Sequence, residues 1–145
     1  MKVLFVCHYN VGRSQMGAAI YNKLTGGQDA DSAGTEVDKP GQTLAQRKLE
    51  HAEETKHLYT FDVMKEVGID VSGNIRTRLS EAMLTGYDKV VNMAEPENTP
   101  DWLSKAPGYE YWPVPDPGGI SYDLTKQARD DIKIRVKNLI TQHPK

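Results

Sequence analysis

A chain of 145 residues, 38% hydrophobic and 26% charged, suits one globular domain over residues 1–145 and leaves no room for two of ordinary size. Lys+Arg 18 against Asp+Glu 20 leave a net charge of −2, without the concentrated positive field of a phosphate-backbone binder, so nucleic acid is excluded as an expected partner. No run approaches the ~18 apolar residues of a membrane span and no signal-peptide pattern opens the chain, so a soluble cytoplasmic protein without a membrane partner is expected.

Lys2 to Val6 is an apolar run ending at Cys7 and reads as a strand. After Ser14, the residues Met16, Ala19, Ile20 and Leu24 recur at helical spacing until Gly26-Gly27. Asp29 to Gly34 is a weaker second strand. Glu36 to Thr60 is charged and sparse in apolar residues; Pro40-Gly41 marks a turn, and Thr43 to His57 reads as a solvated helix, with a lid or a partner surface as the alternative. Phe61, Met64 and Val67 predict a helix capped at Gly68, after which Ile69-Asp70-Val71 leads back toward the sheet. Ser80 reads as the N-cap of a short helix. Tyr87 to Met93 is the best internal strand, and Tyr109 to Val114 is an edge or last strand bounded by Pro113 and Pro115. From Leu124, the positions Ala128, Ile132, Val136, Leu139 and Ile140 form the stripe of a C-terminal helix. This alternation predicts a parallel α/β sheet whose first loop lies where ligands bind, at the carboxyl ends of the strands.

Cys7 is the only cysteine, which excludes an internal disulfide and a multi-thiolate zinc site; any function of that thiol involves it alone. The loop Cys7-His8-Tyr9-Asn10-Val11-Gly12-Arg13-Ser14 joins the thiol to a guanidinium and ends where a helix begins. Converging amides at a helix N-terminus form an anion cradle, and a planar Arg fork holds two oxygens at once. Such a field favours the thiolate, the form that attacks phosphorus. Gly12 permits close approach, Asn10 tolerates a left-handed backbone, and the Ser14 hydroxyl can donate to the sulfur. His8 adjoins the nucleophile in sequence, but successive side chains point apart, so only its backbone amide is expected to serve. Asp116, after the last strand, suits a proton donor to a leaving group; a turn-forming Asp-Pro is the duller alternative.

VLFVCHYNVGRSQM, then SAGT at Ser32 to Thr35, MKEVGIDVS at Met64 to Ser72 and VPDPGG at Val114 to Gly119, occur in the order found in the low-molecular-weight protein tyrosine phosphatase and arsenate reductase superfamily, which the chain resembles over most of its length. The resemblance implies a four-stranded parallel sheet with helices on both faces, Cys7 as nucleophile, Arg13 as oxyanion clamp and Asp116 as general acid. It assigns Asn10, Ser14 and Ser32 to the network that shapes the loop, and requires no metal or organic cofactor. The implied activity is a cysteine-dependent phosphomonoesterase working through phosphocysteine on a phosphorylated protein or a small phosphomonoester.

The departures from the family pattern shape the alternatives. Gly12 stands where many relatives carry a second cysteine, and NMAEPEN lies where thioredoxin-coupled reductases carry more, so arsenate reduction would need an external thiol or a glutaredoxin-like partner. Gln15-Met16 leans toward that reductase branch. Gly118-Gly119 replace the aromatic residues that line a phenol slot, leaving Tyr9, Val11 and Tyr122 as candidate walls; Tyr122 reads equally as a helix-start residue facing solvent. Asn74 occupies a position where the family often has His. A phosphate or phosphopeptide binder without turnover is the third reading.

Overall fold

VLFVC is buried at all its positions, because β1 (Val3–Cys7) has a strand on either side and a packed layer on either face. The computed structural model describes residues 1–54, 57–118 and 121–143. Strands β2 (Ala30–Gly34), β3 (Lys89–Asn92) and β4 (Tyr109–Tyr111) complete a four-stranded sheet in the order β2-β1-β3-β4, with every pairing parallel. The α/β parallel sheet expected from the sequence is the one observed.

The period-two alternation of β1 feeds two apolar clusters. Val3, Phe5 and Cys7 join Met16 and Ile20 of α1 (Arg13–Thr25), Met64 of α3 (Thr60–Lys65) and Ile132, Val136 and Leu139 of α4 (Tyr122–Gln142). Leu4 and Val6 join Ala33, Leu79, Leu84, Val90 and Leu103 on the other face. That second face is covered by short 3-10 helices, Glu81–Gly86 and Leu103–Lys105, in place of long α-helices. The helix expected after Ser80 is the first of these.

Several boundaries differ from the sequence reading for identifiable reasons. Ile69 to Val71 leads back toward the sheet with Val71 buried, but the segment that follows joins it only through isolated bridges, Thr43 with Ile75 and Gly34 with Arg78. β4 stops at Tyr111, ahead of two prolines that cannot donate to a ladder. α2 (Leu44–Glu53) is started by a capping box between Thr43 and Gln46. It ends before the predicted His57, and residues 55–56 of that prediction lie outside the described residues. α1 begins at Arg13, with Gly12 as its N-cap. Among the described residues no helix is long and apolar enough to cross a membrane.

Candidate active site

Cys7 ends the central strand, and the loop of residues 8–12 returns the chain onto the N-terminus of α1, so thiol and loop amides share the carboxyl edge of the sheet. The turn needs one left-handed residue, and Asn10 supplies it at φ 58° while fully buried. Its amide bonds in two directions: Nδ2 donates to Ser14 Oγ at 2.7 Å, and Oδ1 accepts from the Thr77 amide at 2.7 Å. Gln15 Nε2 braces the same loop, donating to the Asn10 carbonyl at 3.2 Å and the Ile75 carbonyl at 3.1 Å. Ser14 Oγ sits 3.0 Å from Cys7 Sγ. With Asn10 donating to that oxygen, the hydroxyl hydrogen is available to the sulfur.

Arg13 is 3% exposed and held by acceptors from two later segments. Nη1 donates to the carbonyls of Met93 and Val114 and to Glu95 Oε2, while Nη2 donates to Glu95 Oε1 at 3.2 Å. Burial opposes the charge on Arg13, but the bond with Glu95 and the fields of Cys7 and Asp116 outweigh it and raise its pKa. In Glu95 burial likewise works against the charge, and Arg13 holds the carboxyl below the ordinary glutamate value. A guanidinium has five N–H donors. Those on Nη1 and one on Nη2 are committed, leaving Nε–H and the second Nη2 hydrogen as an adjacent pair able to grip two oxygens of a tetrahedral anion.

Asp116 Oδ2 lies 3.9 Å from Arg13 Nη2, and Oδ1 accepts from the Gly118 amide at 2.8 Å, a local turn that leaves the side chain 45% exposed. Cys7, Tyr9, Val11, Gly12, Arg13, Asp116, Pro117 and Gly118 line one cavity of about 170 Å³. The loop and the Asp-Pro segment, far apart in sequence, therefore meet at one site. Among the described residues no group of three His, Cys, Asp or Glu side chains is placed to hold a metal ion.

Four candidate positions lie apart from this cavity or act differently from expectation. Ser32 pairs with Phe5 in the sheet, short of its carboxyl edge, and its hydroxyl makes no bond to the loop. What SAGT contributes is main chain: the Thr35 amide donates to the Cys7 carbonyl at 2.9 Å, and the amide of Glu36, the residue after the motif, donates to the His8 carbonyl at 2.8 Å. A Cβ on Gly34 would stand 2.8 Å from the His8 carbonyl oxygen and 2.9 Å from the Asn10 nitrogen, so only glycine lets the loop lie there. Gly12, by contrast, has open space, the nearest atom to an added Cβ being Thr60 Oγ1 at 3.9 Å. Tyr122 is not a wall of the cavity; it starts α4, and its hydroxyl is bonded to Glu66. Asn74 takes no part in the loop network through its side chain, and Gly119 lies outside the described residues. His8 turns from the cavity to Glu36, with Nε2 2.6 Å from Oε2.

Sequence reading missed Glu95, Arg76, Arg47, His51 and Thr60. Arg76 is buried, and its Nη2 donates to the Tyr9 carbonyl at 2.9 Å while Nη1 reaches Asp38 at 2.9 Å and Gln42 at 2.8 Å. It clamps the outside of the loop to the segment that opens the charged stretch. Glu95 and Arg76 are charged residues in polar runs, and the one usable signal was their surroundings: an acid after the strand that ends beside Arg13, and an arginine in a segment otherwise poor in reasons to be buried. Arg47 and His51 of α2, with Leu58 and Thr60, form the rest of the cavity lining. The charged stretch is thus a wall of the site.

A thiol and an arginine bracketing a loop between the first strand and first helix, with an aspartate brought over them from beyond the last strand, define an α/β protein with an oxyanion loop built around one cysteine. The chain belongs to the low molecular weight phosphotyrosine protein phosphatase family, whose model matches residues 2–145. It is 30% identical over 144 residues to the glutaredoxin arsenate reductase of Synechocystis sp., covering 97% of each chain. Among solved structures it resembles an arsenate reductase in the phosphate-binding state (TM-score 0.76, 29% identity, 99% of this chain and 100% of that one). It also resembles the low molecular weight protein tyrosine phosphatase from T. tengcongensis (TM-score 0.75, 26% identity, 98% of this chain and 99% of that one).

Proposed function

We propose that this protein is a cysteine-dependent phosphomonoesterase. Cys7 attacks phosphorus in line, forming an S–P bond as the ester P–O bond breaks. Arg13 grips two equatorial oxygens, and Asp116 gives its proton to the leaving oxygen. Water then attacks phosphocysteine and loses a proton to Asp116, and the S–P bond breaks to release phosphate and the thiolate. The observation that carries this reading is that Asp116 lines the same cavity as Cys7 and Arg13, because a proton donor over the nucleophile serves the departure of an alkoxide or phenoxide.

The resemblance to the Synechocystis glutaredoxin arsenate reductase supports a second reading. There, arsenate condenses with Cys7, and an external thiol attacks Sγ to form a mixed disulfide while arsenic(V) leaves as arsenite. A second thiol reduces that disulfide. With a single cysteine in the chain, both reducing thiols must come from outside.

Side-by-side turnover decides between them. The first reading expects phosphate release from an aryl phosphate without added thiol, abolished in Cys7→Ser. Arsenite formation that requires glutathione or glutaredoxin, with negligible phosphate release, would replace it by the second. Phosphate binding with neither turnover would leave only a binding module.

A further inference from the structure

The inward face of α2 has the spacing of an amphipathic stripe and the wrong chemistry for one. Leu44, Arg47, Lys48 and His51 follow at i, i+3, i+4 and i+7; of these only Leu44 is fully buried and the others are half-buried, whereas Leu49 is 66% exposed. A helix that turns basic groups inward and a leucine outward is not packing on an apolar core. Arg47 and His51 face the cavity that holds Cys7.

Two polar atoms on this wall lack partners. Arg47 Nε is buried with no acceptor among the described residues, and the only bond of its guanidinium is a long one, Nη1 to Glu50 Oε1 at 3.4 Å. Glu50 is drawn mainly to Lys39 and to Gln42. Thr60, at the start of α3, is 0% exposed, and its Oγ1 is likewise buried without a partner. That hydroxyl faces Gly12, whose missing side chain leaves it in view of the loop. Buried polar atoms without partners are rare and costly in native proteins. The guanidinium can only donate and the hydroxyl readily does, so what satisfies both is an acceptor. Against the carboxylate of Asp116, the cavity sets two guanidinium groups, one of them Arg47, whose ion pair with Glu50 is the long 3.4 Å contact of Nη1 with a carboxylate that Lys39 and Gln42 share.

We propose that Arg47 and Thr60 form a second anion subsite beside the phosphoryl cradle. It takes a carboxylate or phosphate carried by the organic part of the ester, so that the preferred substrates are compact phosphomonoesters bearing a second negative charge. Leu58, Val11 and Pro117 supply apolar walls for the short carbon skeleton between the two anions, and a cavity of about 170 Å³ favours a small one. The proposal rests on the phosphomonoesterase reading for its substrate class.

Binding of non-hydrolysable phosphonates separates the two. Inorganic phosphate, 3-phosphonopropionate and its isosteric amide are titrated into the wild-type chain by calorimetry at constant ionic strength, with methylenediphosphonate testing a phosphoryl group as the second anion. Wild type is expected to bind the carboxylate roughly tenfold more tightly than the amide, as befits one charge-assisted contact. Arg47→Met should bring that ratio to about one, Arg47→Lys should retain part of it, and Thr60→Val should lower it where Thr60→Ser does not. Circular dichroism of each variant confirms folding. Equal affinity for carboxylate and amide in a wild-type chain that binds phosphate would overturn the subsite and leave the cradle standing. So would a loss in Arg47→Met that is the same for inorganic phosphate as for the carboxylate, since Arg47 would then be acting on the phosphoryl group itself. Failure of all the ligands to bind would overturn the cradle and the subsite together.

Discussion

On the proposed reading Asp116 and Glu95 have separable tasks, and single substitutions distinguish them. Asp116→Asn should slow phosphoryl transfer by ~10²–10⁴-fold for a poor leaving group such as phenolate, the range typical of a lost proton transfer. The defect should shrink along a series of increasingly acidic phenols in single-turnover experiments; equal slowing for every ester would mean that Asp116 acts on loop position. Glu95 makes a different kind of contribution, because it touches Arg13 and lies outside the cavity lining. Its folded pKa lies below its ordinary value of 4.5 despite burial, owing to Arg13. A carboxylate of that kind adds stability that is complete above its unfolded pKa and disappears as pH falls through the lower folded value. Glu95→Gln should therefore cost about 1–2 kcal/mol near neutral pH, where two charge-assisted bonds are weakened. Thermal unfolding of the variant and wild type should show the gap closing as pH falls from neutrality through the lowered folded value. It should also raise KM for aryl phosphates, since the fork that Glu95 holds in place would be free to turn.

At the scale of elements, the loop is shaped by what leans on it from outside. β2 leaves the sheet against the backs of Cys7 and His8, and Arg76 reaches across to the Tyr9 carbonyl. Gly34→Ala tests this directly. Its methyl would meet backbone at 2.8 Å and 2.9 Å, and backbone has no rotamer with which to yield. A loss of ~1–3 kcal/mol in urea unfolding is expected, with weakened phosphate binding because the loop must move. Retention of both would show the loop to be softer than its hydrogen bonds imply. α2 carries the other lesson at this scale. Its capping box makes the helix start legible, but a stripe of Arg47, Lys48 and His51 reads as solvated because periodicity rules look for apolar residues. Only the position of the helix over the cavity turns that stripe inward.

For the molecule as a whole, a cysteine with no second thiol in the chain sets the response to oxidants. Peroxide should convert Cys7 to a sulfenic acid that no internal thiol can trap. Activity should fall without formation of an intramolecular disulfide, recover only on addition of a small thiol, and be protected by phosphate occupying the cradle. Mass spectrometry of intact protein with and without glutathione measures this; spontaneous full recovery would contradict it. β1 buries both of its faces, and the two clusters it feeds lie on opposite sides of one sheet.

Local chemistry made the shape of the first loop readable from the chain alone. An apolar strand that ends at a thiol, an asparagine where the turn needs a left-handed residue, and an arginine at the helix start are neighbours in sequence, so their spacing carries their geometry. The parallel sheet was readable for a similar reason, since alternating strand and helix signals constrain topology strongly. What depended on tertiary structure were contacts between distant segments: Glu95 on Arg13, Arg76 on Tyr9, Gly34 under the loop, and Arg47 with Thr60 along the cavity. Nothing in a polar run distinguishes a buried charge from a solvated one until another element comes to lie over it. Ser32 shows the converse, a residue singled out with its motif although the working parts of that motif are the backbone of Thr35 and the missing side chain of Gly34.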